Sequence, residues 1–87
     1  MNSQLQTNLQ YVELLNEWDP FQLKTGSYDT EIADTIQAVH ELNDPAQLAK
    51  RIQEIYEFSF EKMIPMASCL KISNKLLVIK DSGTCTL

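Results

Sequence analysis

His40 is the single histidine of this 87-residue sequence, and Cys69 and Cys85 are its two cysteines. Any Ser-His-Asp or Cys-His arrangement would have to use His40. Its place near the end of a helical segment has a simpler reading, because a cation is favoured at a helix C-terminus. A metal centre needs several convergent ligands, and His40 with Glu41 or Asp44 is too thin a set. Cys69 falls on the apolar half of its segment and reads as a buried, inert thiol. Glu31, Asp34 and Glu41 share one flank of a helix. Acid–base work would require one of these carboxylates to be desolvated, and a solvated flank does not provide that. The sequence contains no G-x-G-x-x-G, Walker A or H-E-x-x-H motif, and only 2 glycines. No enzymatic activity and no cofactor are expected.

The elements that carry these residues are helices. Leu5, Leu9, Val12 and Asn16 form one stripe, and Tyr11, Leu14 and Trp18 a second, on a first helix whose apolar arc is wide. Asp19-Pro20 reads as a helix start, with Asp accepting from free backbone N–H groups and Pro fixing the next dihedral. One short turn over Phe21–Leu23 follows, and Gly26-Ser27 breaks the pattern. A second helix, from about Tyr28 or Asp29 to Leu42, carries the stripe Tyr28, Ile32, Ile36, Val39 and Leu42. Asp44-Pro45-Ala46-Gln47 is close to a capping box. It opens a third helix with Leu48, Ile52, Ile55, Ser59 and Met63 on one face, which Pro65 stops or kinks. Phe58 sits within the polar arc of that helix, among Lys50, Arg51, Glu54, Glu57, Glu61 and Lys62. Residues 66–80 fit a hairpin or a helix, and the wheel favours a helix with only Val78 misplaced. The expected fold is all-α, a compact antiparallel bundle of about four helices with one extra short turn. Residues 1–80 form the single domain, and 81–87 a flexible C-terminal tail.

Composition narrows the function classes. The formal charge is −5, with a net −7 in residues 1–44 and +2 in residues 45–87. An acidic half argues against a nucleic-acid backbone as partner. The longest uninterrupted apolar run, Leu76 to Ile79, is far short of a membrane span. The N-terminal residues lack the charged and apolar regions of a signal peptide, so a cytoplasmic location and free thiols are expected.

The pattern Asn16-x-Trp18-Asp19-Pro20-x-x-Leu23, followed by Tyr28-Asp29-x-Glu31-Ile32 and Ile36, resembles the small YugE-like family of bacterial proteins of unknown function. The resemblance runs from the first helix through the third and implies an all-α bacterial domain. It brings no activity, cofactor or catalytic residue. Segments of N-x-W-D-P type are also similar to those of small immunity-type proteins beside bacterial toxins.

Two readings of the distinctive residues stand side by side. In the first, Trp18 anchors packing, Asp19 caps a turn, and the carboxylates of the second helix are a solvated face. In the second, Trp18, Phe21 and Tyr11 form an aromatic patch that a partner buries. Glu31, Asp34 and Glu41 then steer a basic protein partner, and Phe58 extends the surface. The resulting expectation is a small protein-binding domain with an acidic docking surface, immunity-like in kind. The alternative is a self-associating structural homodimer.

Overall fold

Each helix forms where the apolar spacing and the capping chemistry agree. The computed structural model describes the backbone of residues 3–23 and 28–85, with side chains placed for 7–23 and 28–81. The elements are α1 (Ser3–Trp18), α2 (Asp29–Glu41), α3 (Pro45–Phe60) and α4 (Met66–Cys85). The expected break at Gly26-Ser27 lies outside the described residues, as do the side chains of Leu5 and Cys85. Residues 66–80 are helical, and α4 continues past Lys80, where the sequence reading ended the domain.

The core is one cluster fed by all four helices. α1 contributes Tyr11 and Leu15, α2 Ile32, Ala38 and Val39 with Tyr28 just ahead of it, α3 Leu48, Ala49, Ile52 and Tyr56, and α4 Cys69, Ile72 and Leu76. These sets recur at three- and four-residue spacings, so each helix turns one face inward. On α1 the inward face runs through Tyr11 and Leu15, with Leu14 and Trp18 packed beside it. Leu9, assigned from sequence to the main stripe, is 58% exposed. α3 packs against α4 and α2, and α1 packs against α4 and α2. Short connections fold successive helices back on one another as an antiparallel bundle. The radius of gyration is 12.4 Å, against roughly 12 Å for a compact chain of this length.

The caps explain where the helices begin and end. The Asp44 carboxylate accepts from the Gln47 N–H at 3.0 Å, and Pro45 occupies the first turn of α3. That is half of the expected capping box. α3 closes earlier than Pro65 suggested. Glu61 adopts a left-handed conformation at φ 55°, and its N–H returns to the Glu57 carbonyl at 2.8 Å. Met63, expected on the inner stripe of α3, is therefore outside the helix and exposed, while Ile64 turns into the core. Gln53 pins this connection by donating to the Ile64 carbonyl at 2.7 Å. Pro65 serves α4 instead, its carbonyl accepting from Ser68 and Cys69 at 3.0 and 3.2 Å.

α2 and α4 are joined across the fold by one cation. Lys80 Nζ donates to the Val39 carbonyl at 2.6 Å, the Leu42 carbonyl at 3.3 Å and Asn43 Oδ1 at 2.8 Å. A helix ends in carbonyls without intrahelical partners and in the negative pole of its dipole, and an ammonium group answers both. Lys80→Met should cost about 2 kcal/mol, since it keeps the aliphatic stem but strands partly buried carbonyls. For a domain of this size that lowers the melting temperature by about 10 °C. Lys71→Met, exposed on the same helix, should change stability by less than about 0.5 kcal/mol. Equal melting temperatures for the two variants would refute the role given to Lys80.

Candidate docking surface

The W-D-P segment leaves α1 through strained backbone. Asp19 has φ 37° and Gln22 φ 57°, a region that suits Asp and Asn better than most residues because their short side chains bond locally. The Gln22 N–H closes a turn onto the Asp19 carbonyl at 3.1 Å. Asp19 Oδ1 accepts from the Leu23 N–H at 2.8 Å and from the Tyr28 hydroxyl at 2.5 Å. The same hydroxyl accepts from the Phe21 N–H at 3.1 Å. The two distinctive sequence segments, W-D-P and Y-D-x-E-I, thus meet at one phenol. Burial raises the Tyr28 pKa above its ordinary value, and the bond to Asp19 adds to the rise.

Around this latch the aromatic side chains gather. Trp18 meets Tyr56 edge-on with centroids 5.3 Å apart, and Phe21 lies 5.0 Å from Phe60. Tyr28 stands 5.7 Å from Tyr56 and 5.5 Å from Phe60. Such edge-on and tilted contacts match the ring quadrupoles. Trp18 and Phe21 are half-buried here. The W-D-P segment packs against Tyr56 and Phe60 at one end of the bundle.

Two of the residues assigned to a partner surface lie inside the protein. Tyr11 is 1% exposed, with its ring edge-on to His40 at 6.1 Å. It precedes Leu15 by one turn, on the face of α1 that looks inward. Glu31 is 7% exposed. It stands one turn from both Tyr28 and Thr35 on the buried side of α2, and its charge lies near the Tyr56 phenol. The expected acidic flank therefore loses Glu31 and keeps Asp34 and Glu41, both exposed.

The exposed residues form a face shared by α2 and α3. Asp34, Gln37 and Glu41 line a shallow depression with Arg51 and Ile55. Arg51 approaches Glu41 at 3.9 Å, and Gln37 donates to Glu41 at 3.4 Å. One turn beyond Ile55 on α3 lies Phe58. It is 89% exposed, and Glu54, Glu57 and Glu61 surround it. These glutamates were not singled out from sequence as binding residues. The signal was there, since Phe58 was already out of place among them on the wheel.

The remaining chemistry-bearing groups do not converge. Cys69 is fully buried, and burial pushes its thiol up to about 11. At neutral pH it is protonated and a poor nucleophile. His40 is exposed in the last turn of α2. Among the described residues no group of three or more His, Cys, Asp or Glu is placed to hold a metal ion. Among them, too, no helix is long and apolar enough to cross a membrane.

Fold and surface together define a small all-α domain, latched at its aromatic end. The chain belongs to the family described as Domain of unknown function (DUF1871), which matches residues 10–86. It is 47% identical over 75 residues to Uncharacterized protein YugE of Bacillus subtilis (strain 168), spanning 86% of this chain and 87% of that one. A crystal structure of a Bacillus stearothermophilus protein is 45% identical, with a TM-score of 0.86. That match covers 88% of this chain and 95% of the other. The YugE-like resemblance carried by W-D-P and Y-D-x-E-I is thereby established, and with it the four-helix fold.

Proposed function

We propose that this chain is a non-catalytic protein-binding domain whose docking surface is the acidic α2–α3 face. Phe58 supports this reading more than any other residue. Isolated exposed apolar side chains are common on protein surfaces. Phe58 differs in degree, being 89% exposed, and in setting, standing among Glu54, Glu57 and Glu61. Burying such a ring against a partner would recover roughly 1.5–3 kcal/mol that folding leaves unused. The carboxylates around it would speed encounter with a positively charged protein and reject an acidic one. Asp34 and Glu41 extend the same field onto α2. Tyr11 is buried and lies outside this surface, and Trp18 and Phe21 pack on Tyr56 and Phe60.

A displayed library of random peptides, selected on the wild-type domain and on a Phe58→Ser variant, tests the proposal. Enrichment should be strong on the wild type and fall about tenfold or more on the variant. Circular dichroism should show the same helix content in both. Peptides enriched equally on both proteins would refute the surface. Loss of enrichment on Leu9→Ser rather than on Phe58→Ser would move the site to α1. Concentration-dependent association of the domain, abolished by Phe58→Ser, would identify the homodimer instead.

A further inference from the structure

We infer that the segment docking at Phe58 is arginine-bearing, with cations spaced to match Glu54, Glu57 and Glu61; this rests on the docking surface proposed above. The C-termini of α2 and α3 are treated differently. The C-terminus of α2 has His40 in its last turn and receives Lys80 on the Val39 and Leu42 carbonyls. The C-terminus of α3 has no basic residue in its last turn. It carries Glu57 there and Glu61 at its cap, where a negative charge meets the negative pole of the helix. Among the described residues Glu54, Glu57 and Glu61 make no ion pair, and the adjacent Lys62 is exposed without bridging to them. At the end of α3 an added cation would therefore be favoured.

Spacing determines what kind of cation fits. Glu54 and Glu57 stand one turn apart on α3 and Glu61 follows at its left-handed cap, so the three carboxylates spread along the end of the helix. They do not converge on a point, in keeping with the absence of a metal-binding group among the described residues. A row of acids answers a row of positive charges. Phe58 stands within that row with its ring open to solvent. A guanidinium can lie flat on the ring and fork to a carboxylate, while an ammonium is a compact point charge that prefers its water. Arginine is therefore favoured over lysine.

A second copy of the chain is a poorer occupant. Its exposed arginine, Arg51, lies beside Glu41 of its own chain at 3.9 Å, and its exposed basic residues on α4, Lys71 and Lys75, are lysines. Beyond them Val78 borders a groove rimmed by Glu13 and Glu17, which would face the α3 glutamates with like charge. Each copy also brings a net −5.

The test uses short fluorescent helical peptides with arginine at i, i+3 and i+7, and matched peptides with lysine or norleucine there. Fluorescence anisotropy at low salt should show the arginine peptide binding about 3–5-fold tighter than the lysine peptide. Phe58→Ala should weaken the arginine peptide by a similar factor. Glu57→Gln with Glu61→Gln should weaken it about tenfold and flatten its salt dependence. All these sites are on the surface, so the variants keep the fold. An arginine peptide that binds no better than lysine, or that ignores these substitutions, overturns the inference. A norleucine peptide that binds as well and loses affinity on Phe58→Ala also overturns it, while leaving the docking surface intact. Peptides of every kind that are indifferent to Phe58 overturn both.

Discussion

Replacing Asp19 with alanine should cost about 3 kcal/mol of unfolding free energy, although the residue lies in a turn. Three losses add. The Leu23 N–H loses a charge-assisted acceptor at 2.8 Å. The Tyr28 hydroxyl loses its acceptor within the aromatic cluster. Alanine would also have to take up φ 37° without the side-chain bond that makes this region tolerable for Asp. Asp19→Asn keeps an acceptor and the local bond, and should cost only about 1 kcal/mol. Tyr28→Phe removes the phenol from the other side, and also strands the Phe21 N–H that donates to it at 3.1 Å. A double-mutant cycle of Asp19→Ala with Tyr28→Phe should return a coupling of about 1 kcal/mol or more. Urea unfolding of the four proteins supplies the numbers. Additive losses would mean that the short contact is geometry without energy. Asp19→Ala unfolding no earlier than Asp19→Asn would show that the latch does not hold the bundle.

The latch shows what a linear sequence conceals. Asp-Pro is a local signal that marks Asp19 as a backbone acceptor, but the helix start it suggests does not form, since Asp19 takes φ 37° and only a turn follows. Its second partner, Tyr28, lies across a turn and is not legible. The elements themselves were legible. α2 shows the stripe Tyr28, Ile32, Ile36, Val39, Leu42, and α3 opens where Asp44-Pro45 says it should. Helix ends were less so. Pro65 marks a point where a helix stops or kinks, but α3 ends earlier, where Glu61 turns left-handed and Ile64 turns into the core. On α1, apolar residues cover so wide an arc that periodicity cannot say which side faces inward. The neighbouring helices decide, and they choose Tyr11 and Leu15 over Leu9.

The acidic face illustrates the same limit in electrostatics. Charge counted by halves places the acids before Asp44. Folding buries Glu31 from that half and sets Glu54, Glu57 and Glu61, from the nominally basic half, around Phe58. Helix-wheel position, not net charge, carried the information. The likeness to YugE and to the Bacillus stearothermophilus structure establishes the family and the fold. The function proposed here rests on side chains of this chain alone.

Raising the pH above 9 should unfold the protein progressively, and the buried acids of the core set the slope. Burial lifts the Cys69 thiol from its ordinary 9.0 to about 11. Tyr56 is raised far above its ordinary 10.0, first by burial and then by the nearby Glu31 carboxylate. Tyr11 is raised by burial, and Tyr28 by burial and by Asp19. All four groups are neutral when protonated, and all ionise at lower pH in the unfolded chain than in the folded one. Below pH 9 both states hold these protons, and stability is flat with respect to them. Above it the unfolded chain releases protons first, so it binds fewer than the native state and stability falls as pH rises. Cys69 alone should account for about 2–3 kcal/mol lost by pH 11. Tyr56→Phe separates the contributions. Neither the Tyr56 hydroxyl nor that of neighbouring Thr35 reaches a partner at good hydrogen-bond geometry, so at pH 7 the variant should lie within about 1 kcal/mol of wild type. Between pH 10 and 11 it should lose stability less steeply, because one raised phenol has gone. Urea midpoints measured from pH 7 to 11 on both proteins decide the matter. A midpoint that stays level through pH 10.5, or a Tyr56→Phe slope as steep as wild type, would mean that water reaches these groups in the native bundle.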